Sequence, residues 1–354
     1  MKPCILSFGK GIPRYSLPQK EIARRLSDLI GLGDQEAYNL EKLFLNSTIQ
    51  QRFSVIPDII GRGLPNEGNV GMSERNAIYK REAPKLAERA AKEAIENWGG
   101  QPDQLSHIIS ISCTGVIAPG IEFLLIEPLG LRRTIKRLGI NFMGCFGAFQ
   151  GLRTAAQIAQ QHPEHRVLVI CTELCSLHLH SRETMESIVI NSLFSDGAAA
   201  FIMGCDPTVS EQTYGELVND YSYAFEGSLD AMTWEAGDEG YEMSLSASVP
   251  SVLQEGMHSF LQELLPKDVA CLDCNWAIHP GGKAILEKIE KVMGLSQEKH
   301  TAASRHILAN HGNMSSATFL YLLDHLQQKE NKKEWTIGMG FGPGLSIEGV
   351  LLKQ

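Results

Sequence analysis

Asn141-Phe-Met-Gly-Cys-Phe-Gly-Ala-Phe-Gln150 sets one cysteine in a tight turn flanked by glycines. A β-prone region precedes it, and Gly151-Leu-Arg-Thr-Ala-Ala-Gln-Ile-Ala-Gln160 follows with apolar residues at helical spacing. Cys145 therefore opens a helix. The unsatisfied N–H groups and partial positive charge of a helix start favour a thiolate over a thiol. Gly144, Gly147 and Ala148 leave room for a group to approach the sulfur. A buried structural cysteine fits the same local sequence, so residues elsewhere have to decide.

Outward from this turn, strands and helices alternate. Upstream, a short β-like start and an amphipathic helix over Gln19–Ile30 lead to Asn46–Ile56, then to a Gly/Pro/Asn loop through Asn69. Pro84–Trp98 reads as a helix, with Leu86, Ala90, Ala91, Ala94, Ile95 and Trp98 on one face and Gly99-Gly100 ending it. His107–Ser112 is a short buried strand, and helical material runs from Glu122 to about Lys136. Downstream, Arg166–Thr172 and Ala198–Met203 are buried strands bracketing a helical segment near Arg182–Phe194. An acidic, loop-rich span, Cys205–Pro250, then breaks the pattern and separates a half over 1–204 from one over 205–354. The alternation resumes with a helix near Ser251–Leu265, the strand Asn275–Ile278, a helix through Val292 and the strand-like His306–Asn310. A helix through Leu326 and two strands, Trp335–Met339 and Leu345–Leu352, complete it. This cadence predicts α/β layers with parallel pairing. At 354 residues the chain exceeds one core, so two similar halves are expected, without a literal sequence repeat.

Composition narrows the functional classes. With 43% hydrophobic and 21% charged residues the chain is an ordinary globular protein, and no apolar run reaches membrane-spanning length. Met1–Lys10 has no signal-peptide apolar core, so a cytoplasmic location is expected. The net charge is −9, and Cys205–Pro250 alone holds ten Asp/Glu and no Lys, Arg or His; the rest is near +1 (−9 minus −10). An anionic ligand can therefore be met elsewhere, while nucleic-acid binding is disfavoured because no basic, aromatic-interleaved stripe exists. Eight cysteines without a secretion signal predict free thiols. Cys271-Leu-Asp-Cys274 lacks the second pair or paired histidines of a zinc site and does not open a helix, so a structural role is expected. Gly338–Gly344 is glycine-rich but lacks the third glycine of G-x-G-x-x-G and leads into a strand, which excludes a dinucleotide loop.

Three turns carry reactive types: Cys145, His279 in His279-Pro-Gly-Gly282, and Asn313 in His311-Gly-Asn-Met-Ser315. Cysteine, imidazole and carboxamide suit chemistry on a thioester, where the thiolate attacks, the imidazole exchanges protons and the amide donates to an oxyanion. The Pro-Gly-Gly after His279 ends its strand abruptly, leaving the imidazole at the C-terminal sheet edge where ligands bind. His279 as a core histidine and Asn313 as a helix cap are the plain alternatives.

Gly144-Cys145-Phe-Gly-Ala, Trp276-Ala-Ile-His279-Pro-Gly-Gly-Lys-Ala-Ile-Leu286, Gly312-Asn313-Met-Ser-Ser-Ala317 and Gly340-Phe-Gly-Pro-Gly344 resemble the signature segments of type III polyketide synthases. This is the chalcone and stilbene synthase-like family. Phe194–Ala200 and Asp230–Trp234 fit as well, and Ser47–Pro57 resembles its bacterial branches. The resemblance runs in order from about Ser47 to the C-terminus. It implies a thiolase-like, five-layer αβαβα fold of two similar halves, acting as a homodimer on acyl-CoA and malonyl-CoA with no metal or other cofactor.

By that resemblance Cys145 carries the acyl chain. His279 and Asn313 stabilise the enolate left by malonyl decarboxylation, and His279 keeps Cys145 ionised. Phe194 matches the gatekeeper aromatic, with Met243 at the second gatekeeper position. Cys113, Thr114, Cys175 and His178 depart from plant chalcone synthases at the cavity wall. Ser315, Gly340, Phe341 and Gly342 complete the expected substrate contacts, and Lys42, Arg52 and Lys283 are candidates for the coenzyme A phosphates. The expected reaction is decarboxylative extension followed by release of a pyrone, resorcinol, phloroglucinol or chalcone-like ring. The alternatives are a ketoacyl synthase III-type enzyme working on a carrier protein, a Cys–His–Asn hydrolase, and a non-catalytic acyl-CoA binder.

Overall fold

Apolar strands long enough to be covered on both faces dictate the architecture. The computed structural model describes residues 1–59, 70–180, 184–328 and 333–354, so much of the loop predicted through Asn69 and the start of the helix predicted from Arg182 lie outside the described residues. The first half contains strands β1 (Pro3–Gly11), β2 (Tyr15–Pro18), β3 (Gln51–Ser54), β4 (His107–Ser112), β5 (Lys136–Asn141), β6 (Arg166–Leu174) and β7 (Asp196–Cys205). Its helices are α1 (Gln19–Ile30), α2 (Asp34–Asn46), α3 (Met72–Trp98), α4 (Ile121–Leu124), α5 (Gly147–Ala159) and α6 (Met185–Asn191). The second half adds β8 (Glu216–Ala224), β9 (Met232–Gly237), β10 (Gly240–Leu245), β11 (Asn275–Ile278), β12 (Trp335–Gly342) and β13 (Ser346–Lys353). Its helices are α7 (Val249–Leu264), α8 (Lys283–Met293), α9 (Ala302–His311) and α10 (Ser316–Gln327).

Nine of these strands join in the order β11-β12-β13-β8-β1-β7-β6-β4-β5. From one end, β5 and β4 are parallel, β4 and β6 are parallel, β6 and β7 antiparallel, and β7 and β1 antiparallel. The other end repeats the last three of these pairings, with no counterpart of β5: β11 and β12 parallel, β12 and β13 antiparallel, β13 and β8 antiparallel. One register pair, Cys4 with Glu216, links the two arms.

Alternating side chains split the interior into layers. On β6, Val167, Val169 and Cys171 face a central core, while Leu168 and Ile170 face an outer one under α3. On β13, Val350 and Leu352 face the same central core, while Ile347 and Leu351 face a second outer core under α7 and α8. Helices α5 and α10 fill the central layer, where the Phe149 and Phe319 rings stack at 4.1 Å. The result is α, β, α, β, α. Helices α5 and α10 are therefore held from both sides.

Several elements differ from the expectation. Helix α3 starts at Met72 and runs through Pro84, because Ile78, Tyr79 and Ala83 continue its buried stripe. Packing against β1 outweighs the roughly 3 kcal/mol that an interior proline costs. Only Ile121–Leu124 of the helix expected from Glu122 forms; Pro128 and Gly130 (φ +66°) turn the chain into β5. His306–Asn310 is part of helix α9, since Ala303, Ile307 and Leu308 bury one helical face. The acidic span contains β8 and the β9–β10 hairpin, on which Glu235 is exposed and Glu216, Asp220 and Glu242 are half-buried.

Candidate active site

Cys145 sits in a short helical turn, Gly144–Phe146, that opens α5. Gly144 has φ +68°, and a Cβ there would meet the Pro343 ring at 2.5 Å, so the β12–β13 turn packs directly against the cysteine turn. Cys145 is 9% exposed. Its sulfur shares hydrogen bonds with the side chains of Ser315 and Asn313. Burial pushes the thiol up to about 11, while those hydrogen bonds pull it down. At the start of this helix, burial outweighs the dipole.

His279 follows β11, and its N–H donates to the Met339 carbonyl at 2.7 Å. The side chain is fully buried, and neither ring nitrogen has a hydrogen-bond partner among the described residues. Burial pushes the imidazole down to about 4. A satisfied core histidine would have at least one ring nitrogen paired. Asn313 lies in the turn between α9 and α10 rather than after a strand. Its Nδ2 donates to the Gly281 carbonyl at 3.3 Å, and its Oδ1 accepts from the Ser315 N–H at 2.9 Å. Its own backbone pairs with Leu193 and Ser195, both at 2.9 Å, so the carboxamide is tied to the His279 turn and to the segment bearing Phe194.

Cys145, His279, Asn313, Phe194, Met243, Phe341 and Lys283 line one cavity of about 640 Å³. Cys145, Phe194 and Met243 also line a second chamber of about 40 Å³, with Cys113, Thr114, Cys175, His178 and Ser315. The sulfur thus stands between an outer cavity and an inner one.

Other expected contacts lie elsewhere. Gly340 and Gly342 belong to strand β12 and line neither space; a Cβ on either would meet Phe149 or Phe146 of the cysteine segment at 2.3 and 2.4 Å. His178 is committed to backbone: its Nε2–H donates to the Thr114 carbonyl at 2.8 Å and its Nδ1 accepts from the Tyr241 N–H at 3.1 Å. Burial then pushes it down to about 3.

Among the cation candidates, Lys283 is at the mouth, donating to Asn46 Oδ1 at 2.9 Å. Lys42 is exposed on α2 with its ammonium 4.4 Å above the Tyr38 ring, next to the cavity-lining Leu43. Arg52 is fully buried and lines neither space. It donates to Gln19 Oε1 at 2.9 Å and to the Phe194 carbonyl at 2.8 Å, so it braces the Phe194 segment instead of meeting a phosphate.

The sequence reading missed Glu173. It is fully buried, accepting from the Thr114 hydroxyl at 2.9 Å, the Cys113 N–H at 3.1 Å and the Ser316 hydroxyl. Burial raises its pKa, against those hydrogen bonds. A carboxylate closing an otherwise apolar strand was the available signal. Among the described residues no helix is long and apolar enough to cross a membrane, and no cluster of His, Cys, Asp or Glu is placed to hold a metal ion. All eight cysteines are free.

Comparison with known proteins places this geometry. The family described as chalcone and stilbene synthases, N-terminal domain, matches residues 2–207, and the corresponding C-terminal domain matches 223–354. The chain is 33% identical over 363 residues to probable polyketide synthase 1 of Dictyostelium discoideum, covering 99% of this chain but only 11% of that much longer protein. It is 31% identical to type III polyketide synthase A of Arabidopsis thaliana, covering 100% and 93% of the two chains. Among solved structures, the C-terminal type III polyketide synthase domain of Steely1, a type I/III hybrid from Dictyostelium, superposes with a TM-score of 0.94 at 32% identity, covering 100% and 99%. PKS-I from the brown alga Ectocarpus siliculosus superposes with a TM-score of 0.93 at 29% identity, covering 100% and 98%. With both halves of the family matched in order on a thiolase-like five-layer fold, this chain belongs to the chalcone and stilbene synthase-like type III polyketide synthases.

Proposed function

We propose that this chain loads an acyl-CoA starter on Cys145, extends it with malonyl-CoA and releases a cyclised polyketide of the pyrone, resorcinol, phloroglucinol or chalcone-like kind. The observation that carries the reading is one cavity lined by Cys145, His279 and Asn313, brought together from three distant turns. In the loading step the Cys145 thiol gives its proton to His279, and the sulfur attacks the thioester carbonyl, expelling coenzyme A thiolate. The resulting ion pair offsets the cost that burial imposes on each charge alone. Malonyl-CoA then loses CO₂, and its electron pair passes to the thioester oxygen. The amide of Asn313 and a ring N–H of His279 are the donors for that enolate. The enolate carbon attacks the Cys145 thioester, lengthening the chain by two carbons on coenzyme A and freeing the sulfur. The lost CO₂ supplies the carbanion, so the cycle calls for no metal or redox cofactor.

Lys283 at the mouth suits a coenzyme A phosphate, with Lys42 beside it. A homodimer is part of the proposal. Its support is the run of exposed apolar side chains Phe123, Leu124, Leu138 and Phe142 on α4, β5 and the following turn.

The test is purified protein with acyl-CoA and malonyl-CoA and no carrier protein, read by CO₂ release and product mass. Polyketide formation that vanishes in Cys145→Ala is expected. A strict need for a carrier protein would point to the ketoacyl synthase III-type reading instead.

A further inference from the structure

The inner chamber is small and its wall is built to stay so. Trp234 on β9 stands directly opposite Met243 on β10, and this cross-strand pair faces the chamber together. The Trp234 indole N–H donates to the Cys113 carbonyl at 2.7 Å, fixing the ring against the strand that ends beside the chamber. Behind it, the Tyr241 ring lies 5.6 Å from Trp234, and the His178 ring lies 5.7 Å from Trp234 and 4.7 Å from Tyr241. His178 is held at both nitrogens by backbone. The hairpin carrying these rings is itself tied to α3, where the Met72 N–H donates to the Asp238 carbonyl at 2.9 Å. At its tip, a Cβ on Gly240 would approach His178 Nδ1 and Arg75 to 3.1 Å. Little in this plug can move aside.

We infer that the aromatic plug Trp234–Tyr241–His178 restricts this enzyme to short aliphatic acyl-CoA starters, with Trp234 as the specificity-determining side chain. The inference rests on the condensing reading above. Two coenzyme A thioesters enter in succession through the same outer cavity, so the Cys145-bound acyl group must turn inward to leave room for malonyl-CoA. The inward space is about 40 Å³. That is a small fraction of the outer cavity of about 640 Å³, and it suits a short acyl group rather than a long or aryl one. Leu179, Ile190, Phe194, Met232 and Met243 supply apolar wall that suits an alkyl group, beside the polar side chains of Thr114, His178, Thr233 and Ser315. An aryl or long-chain starter would have to displace Trp234, breaking its hydrogen bond and its ring contacts.

The experiment measures kcat/KM and product masses for acetyl-, butyryl-, octanoyl-, lauroyl- and benzoyl-CoA with malonyl-CoA. The same starters are scored for acylation of Cys145 by intact-protein mass spectrometry without malonyl-CoA. Wild type is expected to favour acetyl and butyryl over octanoyl and benzoyl at least about tenfold in both assays. Trp234→Ala should raise the ratio of octanoyl to acetyl turnover at least about tenfold. Trp234→Phe, which keeps a smaller ring and the fold, should fall between. A wild-type preference for octanoyl, lauroyl or benzoyl overturns the inference. So does an unchanged starter profile in whichever of the two variants unfolds at the wild-type temperature. Acylation of Cys145 with no decarboxylation by any starter would instead overturn the condensing reading, and the loading assay would still rank the starters by size.

Discussion

Burial acts on Cys145 and His279 in opposite senses, and both shifts favour the uncharged form. On the proposed mechanism, a thiolate in this cavity therefore depends on His279 accepting its proton. His279→Ala should move the pH midpoint for alkylation of Cys145 by iodoacetamide upward, because the sulfur then loses its proton acceptor and keeps the burial that raises it. An unchanged midpoint would remove His279 from the proton path. Arg52 makes a separate case. Burial lowers its guanidinium to about 9, yet it donates to Gln19 and to the Phe194 carbonyl. Replacing it with methionine relieves a buried charge but strands a carbonyl. Hydrogen bonds to charged groups contribute about 1.5–3 kcal/mol each, so Arg52→Met should lose about 2 kcal/mol by denaturant unfolding and slow turnover through the Phe194 segment. Cys145, His279 and Asn313 were legible because glycine or proline beside each one marks an abrupt turn. Arg52 was not: in Gln50-Gln-Arg-Phe it reads as a solvent-facing cation, and only the folded chain shows what covers it.

At the scale of elements, strand β12 and the cysteine turn are fitted to each other. A Cβ on Gly342 would meet the Phe146 ring at 2.4 Å. Phe146 is adjacent to Cys145, so any relief of that clash moves the Cys145 turn. Gly342→Ala should cost about 1–3 kcal/mol in stability, as overpacking does, and lower the rate of Cys145 acylation. Gly33→Ala, whose nearest new neighbour is Glu36 at 3.8 Å, is the control and should change acylation little. A Gly342→Ala enzyme acylated at the wild-type rate would show that the turn is not held from this side. Long, strongly patterned elements such as β6, β7 and α7 could be read from the sequence to within a few residues. Short ones could not. His306–Asn310 is equally apolar as strand or helix over five residues, and the alternation in β8 is weak because much of that strand faces water. Pro84 misled for a different reason, since a penalty local to one residue was outweighed by packing along the whole of α3.

At the scale of the molecule, the nine-stranded sheet ends at β5, where most side chains are exposed. Its outer edge carries unpaired backbone groups among the described residues, and edges of this kind invite another strand or another chain. Leu138 is 41% exposed on this strand, with Phe123 at 48% on α4, which packs against β5, and Phe142 at 45% just beyond. Apolar side chains gathered at a sheet edge mark an association surface more often than a solvent face. The turn that carries Cys145 begins two residues after Phe142, so a partner seated there would buttress that turn from outside. Wild-type protein is therefore expected to sediment at twice the chain mass. The double variant Phe123→Glu, Leu138→Glu places four like charges on a two-fold interface, which should shift the population to monomer. Because neither side chain lines a cavity, any loss of turnover in that monomer would report the partner's support of the Cys145 turn rather than damage to the site. A double variant that still sediments as a dimer would place the interface elsewhere on the molecule.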